Sequence, residues 1–128
     1  MQYLHDIFAE ADGFILVTGE YNRSIPPALT NLLNHFMHEF FFKPSAIASC
    51  SAGAYGGVRA AMQMRIFASE LGMPTISSLV PIPEVDENFS EEGLPFSDEF
   101  DACIDCFLGE FDWYVDALKE KRKERTPF

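Results

Sequence analysis

The chain has 128 residues, enough for one domain with a buried core, and its 48% hydrophobic and 23% charged residues are globular proportions. A formal net charge of −11 repels polyanions, so neither nucleic acid nor an anionic membrane is expected as a partner. No apolar run reaches the roughly 18 residues of a membrane span, the opening MQYLHDIFAEADG is too short and acidic for a leader, and three cysteines make no secreted disulfide framework, so a cytoplasmic protein is expected.

Residues 3–10 place Tyr3, Leu4, Ile7 and Phe8 on one helical face. After Gly13, the continuous apolar run 14–18 suits a buried parallel strand. Ser24 is an N-cap candidate, and Pro26 and Pro27 suit a first turn. A helix is predicted over 26–41, with Leu29, Leu32, Leu33, Phe36 and Phe40 at helical spacing. Pro44 precedes a second strand over 46–50, and the small-residue stretch 51–57 is a loop. A helix follows over 58–71, with Gly72 as its stop. A third strand is predicted over 75–79, and the prolines and glycine of 80–97 make that stretch a long loop. The last helix runs from Ser97 or Asp98 to about Lys123, with Phe100, Ile104, Phe107, Leu108, Phe111, Tyr114, Val115 and Leu118 as its apolar face. The basic residues Lys119, Lys121, Arg122, Lys123 and Arg125 complement the helix dipole and form a solvated tail.

The order β-α-β-α-β-α implies an α/β fold with parallel strands and right-handed crossovers. Ligands bind beyond the carboxyl ends of the strands in such sheets. Two strand ends carry unusual sequence. Gly19-Glu20-Tyr21-Asn22 follows the first, and Ser51-Ala52-Gly53-Ala54-Tyr55-Gly56-Gly57 follows the second. Neighbouring parallel strands set these loops side by side. Glycines let backbone approach a ligand, backbone N–H and C=O groups can read a flat heterocycle's polar edge, and Tyr offers a stacking face. Spacing alone weighs this evenly against two ordinary turns.

The text TGEYNRSIPPALTNLLNHF, then Lys43-Pro44, then SCSAGAYGGVRAAMQMR, and the closing FDWYVDALKEKRK together resemble the NAD(P)H-dependent FMN reductases. The resemblance covers nearly the whole chain, 1–128, as one partial domain. It implies a flavodoxin-like three-layer fold in which NAD(P)H passes a hydride to FMN, and the flavin passes electrons to a quinone-like or other small acceptor. It implies that Glu20, Tyr21 and Asn22 border the flavin ring, mainly through backbone, with Gly19 in the same turn. Gly53, Ala54, Gly56 and Gly57 line the other edge, and Ser51 donates a hydrogen bond nearby. A homodimer or homotetramer is implied too, with the helix bearing His35 and His38 at the contact. Arg23 is read as a solvated turn residue, with nucleotide phosphates as the alternative, and Arg59 and Arg65 as structural or at a subunit contact.

Two departures stand against the resemblance. Gly19 replaces the family's Pro, and nothing in residues 1–13 matches the family's first strand and phosphate loop. An N-terminally truncated fold of about three strands and three to four helices is therefore expected, read as a fragment, with strand 14–18 at an unaccustomed edge and the final helix alone on one face. The competing reading is a non-catalytic, oligomerising remnant of the fold. No metal site is expected. Cys103 and Cys106 sit within a helix as packed or half-exposed thiols, Cys50 is a small buried residue, and Glu84, Asp86, Glu87, Glu91 and Glu92 are solvated charge.

Overall fold

A computed structural model describes all 128 residues. Three parallel strands form one sheet in the order β1-β2-β3: β1 (Phe14–Gly19), β2 (Ser45–Cys50) and β3 (Thr75–Ile82). The helices are α1 (Gln2–Glu10), α2 (Pro27–Leu33), α3 (Val58–Glu70), the single turn α4 (Val85–Asn88) and α5 (Asp101–Glu124).

Alternation along the strands divides the core in two. Leu16 and Ile47 face one side, where they meet Leu33, Met64 and Ala68 from α2 and α3, with Leu4 and Phe8 of α1 packed alongside. Ala46, Ile76 and Val80 face the other side, where α5 supplies Phe107 and Phe111. The β1 residues on that second face lie beyond the reach of α5. Ile15 is exposed, and Val17 is 67% exposed. The sequence expectation of one sparsely covered face holds.

The helix predicted over 26–41 ends at Leu33, and a lone 3-10 turn follows at His38–Phe40. Asn34 and His35 are weak helix formers. Beyond them Phe36 and Phe40 turn inward onto Phe8, at ring centroid distances of 4.8 and 5.6 Å. Edge-on aromatic packing and burial outweigh continued helical hydrogen bonding there. His38 stacks edge-on to Phe41 at 5.1 Å.

The strand predicted over 75–79 continues to Ile82, through Pro81. β3 is an edge strand, and Ile82 turns its carbonyl toward β2 to accept from Ser51 N–H. The ring nitrogen of Pro81 therefore faces outward, where no ladder bond is lost. The stretch predicted as loop over 80–97 also contains α4 and an antiparallel bridge between Phe89 and Pro95. α5 starts at Asp101, a little after Ser97 and Asp98, and its Leu108 is exposed rather than core-facing. Cys103 and Cys106 are exposed.

The basic end of α5 is not merely a solvated tail. Lys119 Nζ lies 2.5 Å and Arg122 Nη2 2.8 Å from the carboxylate of Asp12, just before β1. Arg122 also donates to the Phe42 carbonyl at 3.0 Å. These contacts pin the end of α5 at the amino ends of the strands, opposite the candidate ligand side.

Candidate functional site

The β1–β2 register pairs Gly19 with Cys50, so both strands end level and their loops emerge together. Glu20 fastens them. Its carboxylate accepts hydrogen bonds from the backbone N–H groups of Arg59 at 3.2 Å and Ala60 at 3.3 Å, and from Arg59 Nη1 at 3.3 Å. A carboxylate there satisfies donors that the first turn of α3 leaves without helical partners. The side chain of Glu20 thus serves as the cap of α3, and only its backbone remains for a ligand.

The next turn is equally well held. Tyr21 and Ser24 exchange backbone hydrogen bonds at 3.0 Å, with Asn22 and Arg23 at φ of 52° and 63° between them. Gln63 of α3 grips this turn, donating to the Arg23 carbonyl at 2.9 Å and accepting from Ser24 Oγ at 2.8 Å. Ser24 is therefore a tether to α3 and makes no side-chain cap for α2, whose N-cap is Pro26. Arg65, two residues further along α3 and on its other side, donates to the carbonyls of Ile76 and Ser77 at 2.7 Å, so its role is to hold β3.

In the second loop, Ser49 Oγ donates to Gly56 O at 2.7 Å from a buried position. Gly57 has φ of 74°, and a Cβ there would sit 2.8 Å from the Cys50 carbonyl oxygen. Only glycine combines that left-handed backbone with so close a return onto β2. Ser51 Oγ donates to Gly53 O at 2.8 Å. That contact engages the single hydroxyl proton within the loop and leaves the oxygen able to accept. The backbone N–H groups of Ala52, Gly53 and Ala54 have no acceptor within the chain. The Tyr55 ring carries the Arg59 guanidinium at 4.8 Å.

A cleft of about 300 Å³ lies between the loops, lined by Glu20, Asn22, Arg23, Ser51, Ala52, Gly53, Tyr55 and Arg59. Of the nine site residues the sequence singled out, Glu20, Asn22, Ser51 and Gly53 line it. Gly19 ends β1, while Tyr21 and Ala54 stand exposed beside the cleft. Gly56 and Gly57 pack beneath it against the ends of β3 and β2. Ala52, Tyr55 and Arg59 line the cleft although they had no assigned place in the site from sequence, and Arg23, read from sequence as a solvated turn residue with nucleotide phosphates as the alternative, lines it too. The available signal was position: Tyr55 belongs to the same loop, and Arg59 lies in the first turn of the helix that follows the paired glycines.

A larger cleft of about 620 Å³ opens on the α5 face of the sheet. Val17, Ala48, Cys50, Ile82, Val85 and Phe89 form its apolar part, with Asp86 and Glu91 among its other lining residues. Cys50 is thus half-buried at a cleft wall and not a core residue. This cleft belongs to the uncovered part of the sheet. The smaller one is the ligand candidate, because residues of both loops line it, among them Ala52 and Gly53 with their unpaired amides.

Comparison with known proteins identifies the family. The family description NADPH-dependent FMN reductase matches residues 1–87. An NAD(P)H-dependent FMN reductase of Schizosaccharomyces pombe is 34% identical over 123 residues, covering 93% of this chain and 58% of that protein. An NADPH azoreductase of Bacillus sp. is 27% identical over 122 residues, covering 94% of this chain and 66% of its own length. This chain therefore spans less than two thirds of either relative. The solved structure of FerB, a flavoenzyme NAD(P)H:(acceptor) oxidoreductase from Paracoccus denitrificans, superposes with a TM-score of 0.66 at 21% identity, over 93% of this chain and 67% of that one, which establishes the shared α/β flavodoxin-like fold. Taken with the two strand-end loops, these matches place the chain in the NADPH-dependent FMN reductase family, oxidoreductases that work with FMN and NAD(P)H.

Proposed function

We propose that this chain holds the ring portion of FMN between its two strand-end loops, as part of an oxidoreductase that draws on NAD(P)H and serves a small, quinone-like acceptor. The observation that carries this reading is the Glu20 carboxylate hooked onto α3, which locks two loops with unpaired amides around one cleft. The chemistry an FMN supplies is acceptance of a hydride from reduced nicotinamide and release of electrons to a second acceptor.

The residues present suit the flat, polar-edged end of such a group. Ala52, Gly53 and Ala54 offer N–H donors, Gly53 leaves open space where a side chain would stand, and Tyr55 walls one side. Gln63 and Glu20 fix the backbone, so little ordering entropy is lost on binding. Glu20, Tyr21, Asn22, Ser51, Gly56 and Gly57 keep their assignment to this site, contributing backbone groups or holding the loops in place, and Gly19 ends the strand that delivers them. A homodimer or homotetramer belongs to the same reading.

The test is titration of the chain into lumiflavin, which is the ring without its phosphate, followed by flavin fluorescence. Saturable quenching is expected, and Glu20→Ala should weaken it by freeing the loops. Absence of saturable quenching by the wild-type chain would refute the assignment. A visible absorbance spectrum after FMN addition and removal of excess then reports whether the intact cofactor is retained.

A further inference from the structure

We infer that Arg23 and Arg59 form a phosphate-binding rim on this cleft, which takes the phosphate groups of the nucleotide co-substrate. The inference rests on the functional reading above and specifies where the charged end of the reductant lies.

The argument starts from where the chain spends its nine cationic residues. Lys43 is turned inward and donates to the carbonyls of Phe8 and Ala9, both at 2.8 Å, closing the end of α1. Arg65 is committed to β3 carbonyls. Lys119, Lys121, Arg122 and Lys123 pair with carboxylates along the end of α5, and Arg125 follows them there, at the amino ends of the strands. Of the two that remain, Arg23 has no side-chain partner and Arg59 pairs with Glu20 through Nη1 alone, and both line the loop cleft at the carboxyl ends. On a chain of net charge −11, that is the local exception that an anionic ligand would find.

Arg23 is built for contact with something outside the chain. Its guanidinium makes no hydrogen bond or ion pair, while its backbone is fixed by Gln63 and by the Tyr21–Ser24 bonds. The residue sits at φ of 63°, a conformation costly for a side chain with a Cβ. Strain retained at a clamped turn motivates a functional hypothesis for the residue that bears it. Arg59 belongs to the same cleft lining, with its side chain 40% exposed. Glu20 engages Nη1 and Tyr55 lies under the guanidinium face, which leaves further N–H donors in a held orientation. The Glu20 carboxylate offsets one of the two guanidinium charges and shares its lone pairs with two α3 amides, so the rim keeps a net positive charge. Two guanidinium groups suit phosphate oxygens, which accept paired, charge-assisted hydrogen bonds.

Isothermal titration of the wild-type chain and of Arg23→Asn tests this, with adenosine 2′,5′-bisphosphate, ADP and inorganic phosphate as probes. Asn accepts the left-handed backbone, so the variant should melt at a higher temperature while binding nucleotide about tenfold more weakly or worse, the fold-change of one lost charge-assisted hydrogen bond. Preference for the 2′-phosphorylated probe assigns the rim to NADPH, and preference for ADP assigns it to the pyrophosphate; either supports the inference. Equal binding by both proteins, or inorganic phosphate binding as tightly as the nucleotides, would overturn it. The lumiflavin titration of the wild-type chain separates the two readings. Quenching without nucleotide binding removes the rim and leaves the ring site standing.

Discussion

Two glycines of the same loop show how differently a residue can matter. Gly57 has φ of 74°, and a Cβ would meet the Cys50 carbonyl oxygen at 2.8 Å, whereas a Cβ on Gly53 would meet nothing within 4 Å. Gly57→Ala is expected to cost about 2–3 kcal/mol through backbone strain and displacement of β2. Gly53→Ala should stay within about 1 kcal/mol. Urea denaturation of the two variants checks the contrast. The sequence singles out both glycines equally, because a run such as GAYGG records that small residues are present and not which of them faces the ligand. Glu20 carries the same lesson. As text it is an acid in a ligand loop, and only the approach of α3, 39 positions away at Arg59, reveals it as a cap.

At the scale of elements, side chains rather than ladder bonds close the open places. β3 bulges against β2 between Ser45 and Ile47, which leaves the amides of Ser77 and Ser78 to be satisfied elsewhere. The Glu110 carboxylate of α5 accepts from both, at 2.9 and 3.0 Å, and from the Ser78 hydroxyl, and that hydroxyl above all holds Glu110 below its ordinary range. The other end of α5 is anchored by Asp12. Its hydrogen bond from Lys119 lowers the Asp12 carboxyl below its ordinary 3.8, with the charges of Lys119 and Arg122 adding and partial burial opposing. A carboxylate lowered in the folded state contributes stability above its unfolded value, and loses it as pH falls through the folded one. The anchor is therefore intact at neutral pH and released in acid below 3.8. Asp12→Asn should lower stability at neutral pH and flatten its decline in that acid window, as read by denaturation midpoints on either side of it. The basic tail was legible in the sequence, but its partner was not, since Asp12 and Arg122 lie at opposite ends of the chain.

On the scale of the molecule, the two sheet edges are unequal. β3 has Arg65 and Glu110 over its outer backbone, while β1 presents Ile15 and Val17 on a face that α5 leaves bare. Such an apolar edge without charge or proline is a pairing hazard. The isolated chain is expected to self-associate as its concentration rises. Val17→Lys should shift sedimentation velocity toward monomer, and an unchanged distribution would show that association runs through another surface. No helix of the chain is long and apolar enough to cross a membrane.

Local pattern determined most of the architecture. The continuous apolar runs, the Gly and Pro stops and the helical spacing of Phe107, Phe111 and their neighbours placed three parallel strands and the main helices, because burial acts on period and length wherever partners are found. The two strand-end loops, with their flanking text, were enough to mark the family. What tertiary structure alone decided was the direction and partnership of side chains. It turned Glu20 and Gln63 toward the backbone, stopped α2 at Leu33 so that Phe36 could meet Phe8, carried β3 through Pro81, and left Arg23 free where other cations were engaged. Those outcomes depend on contacts between residues far apart in the chain, whose geometry exists only once the sheet and helices have packed.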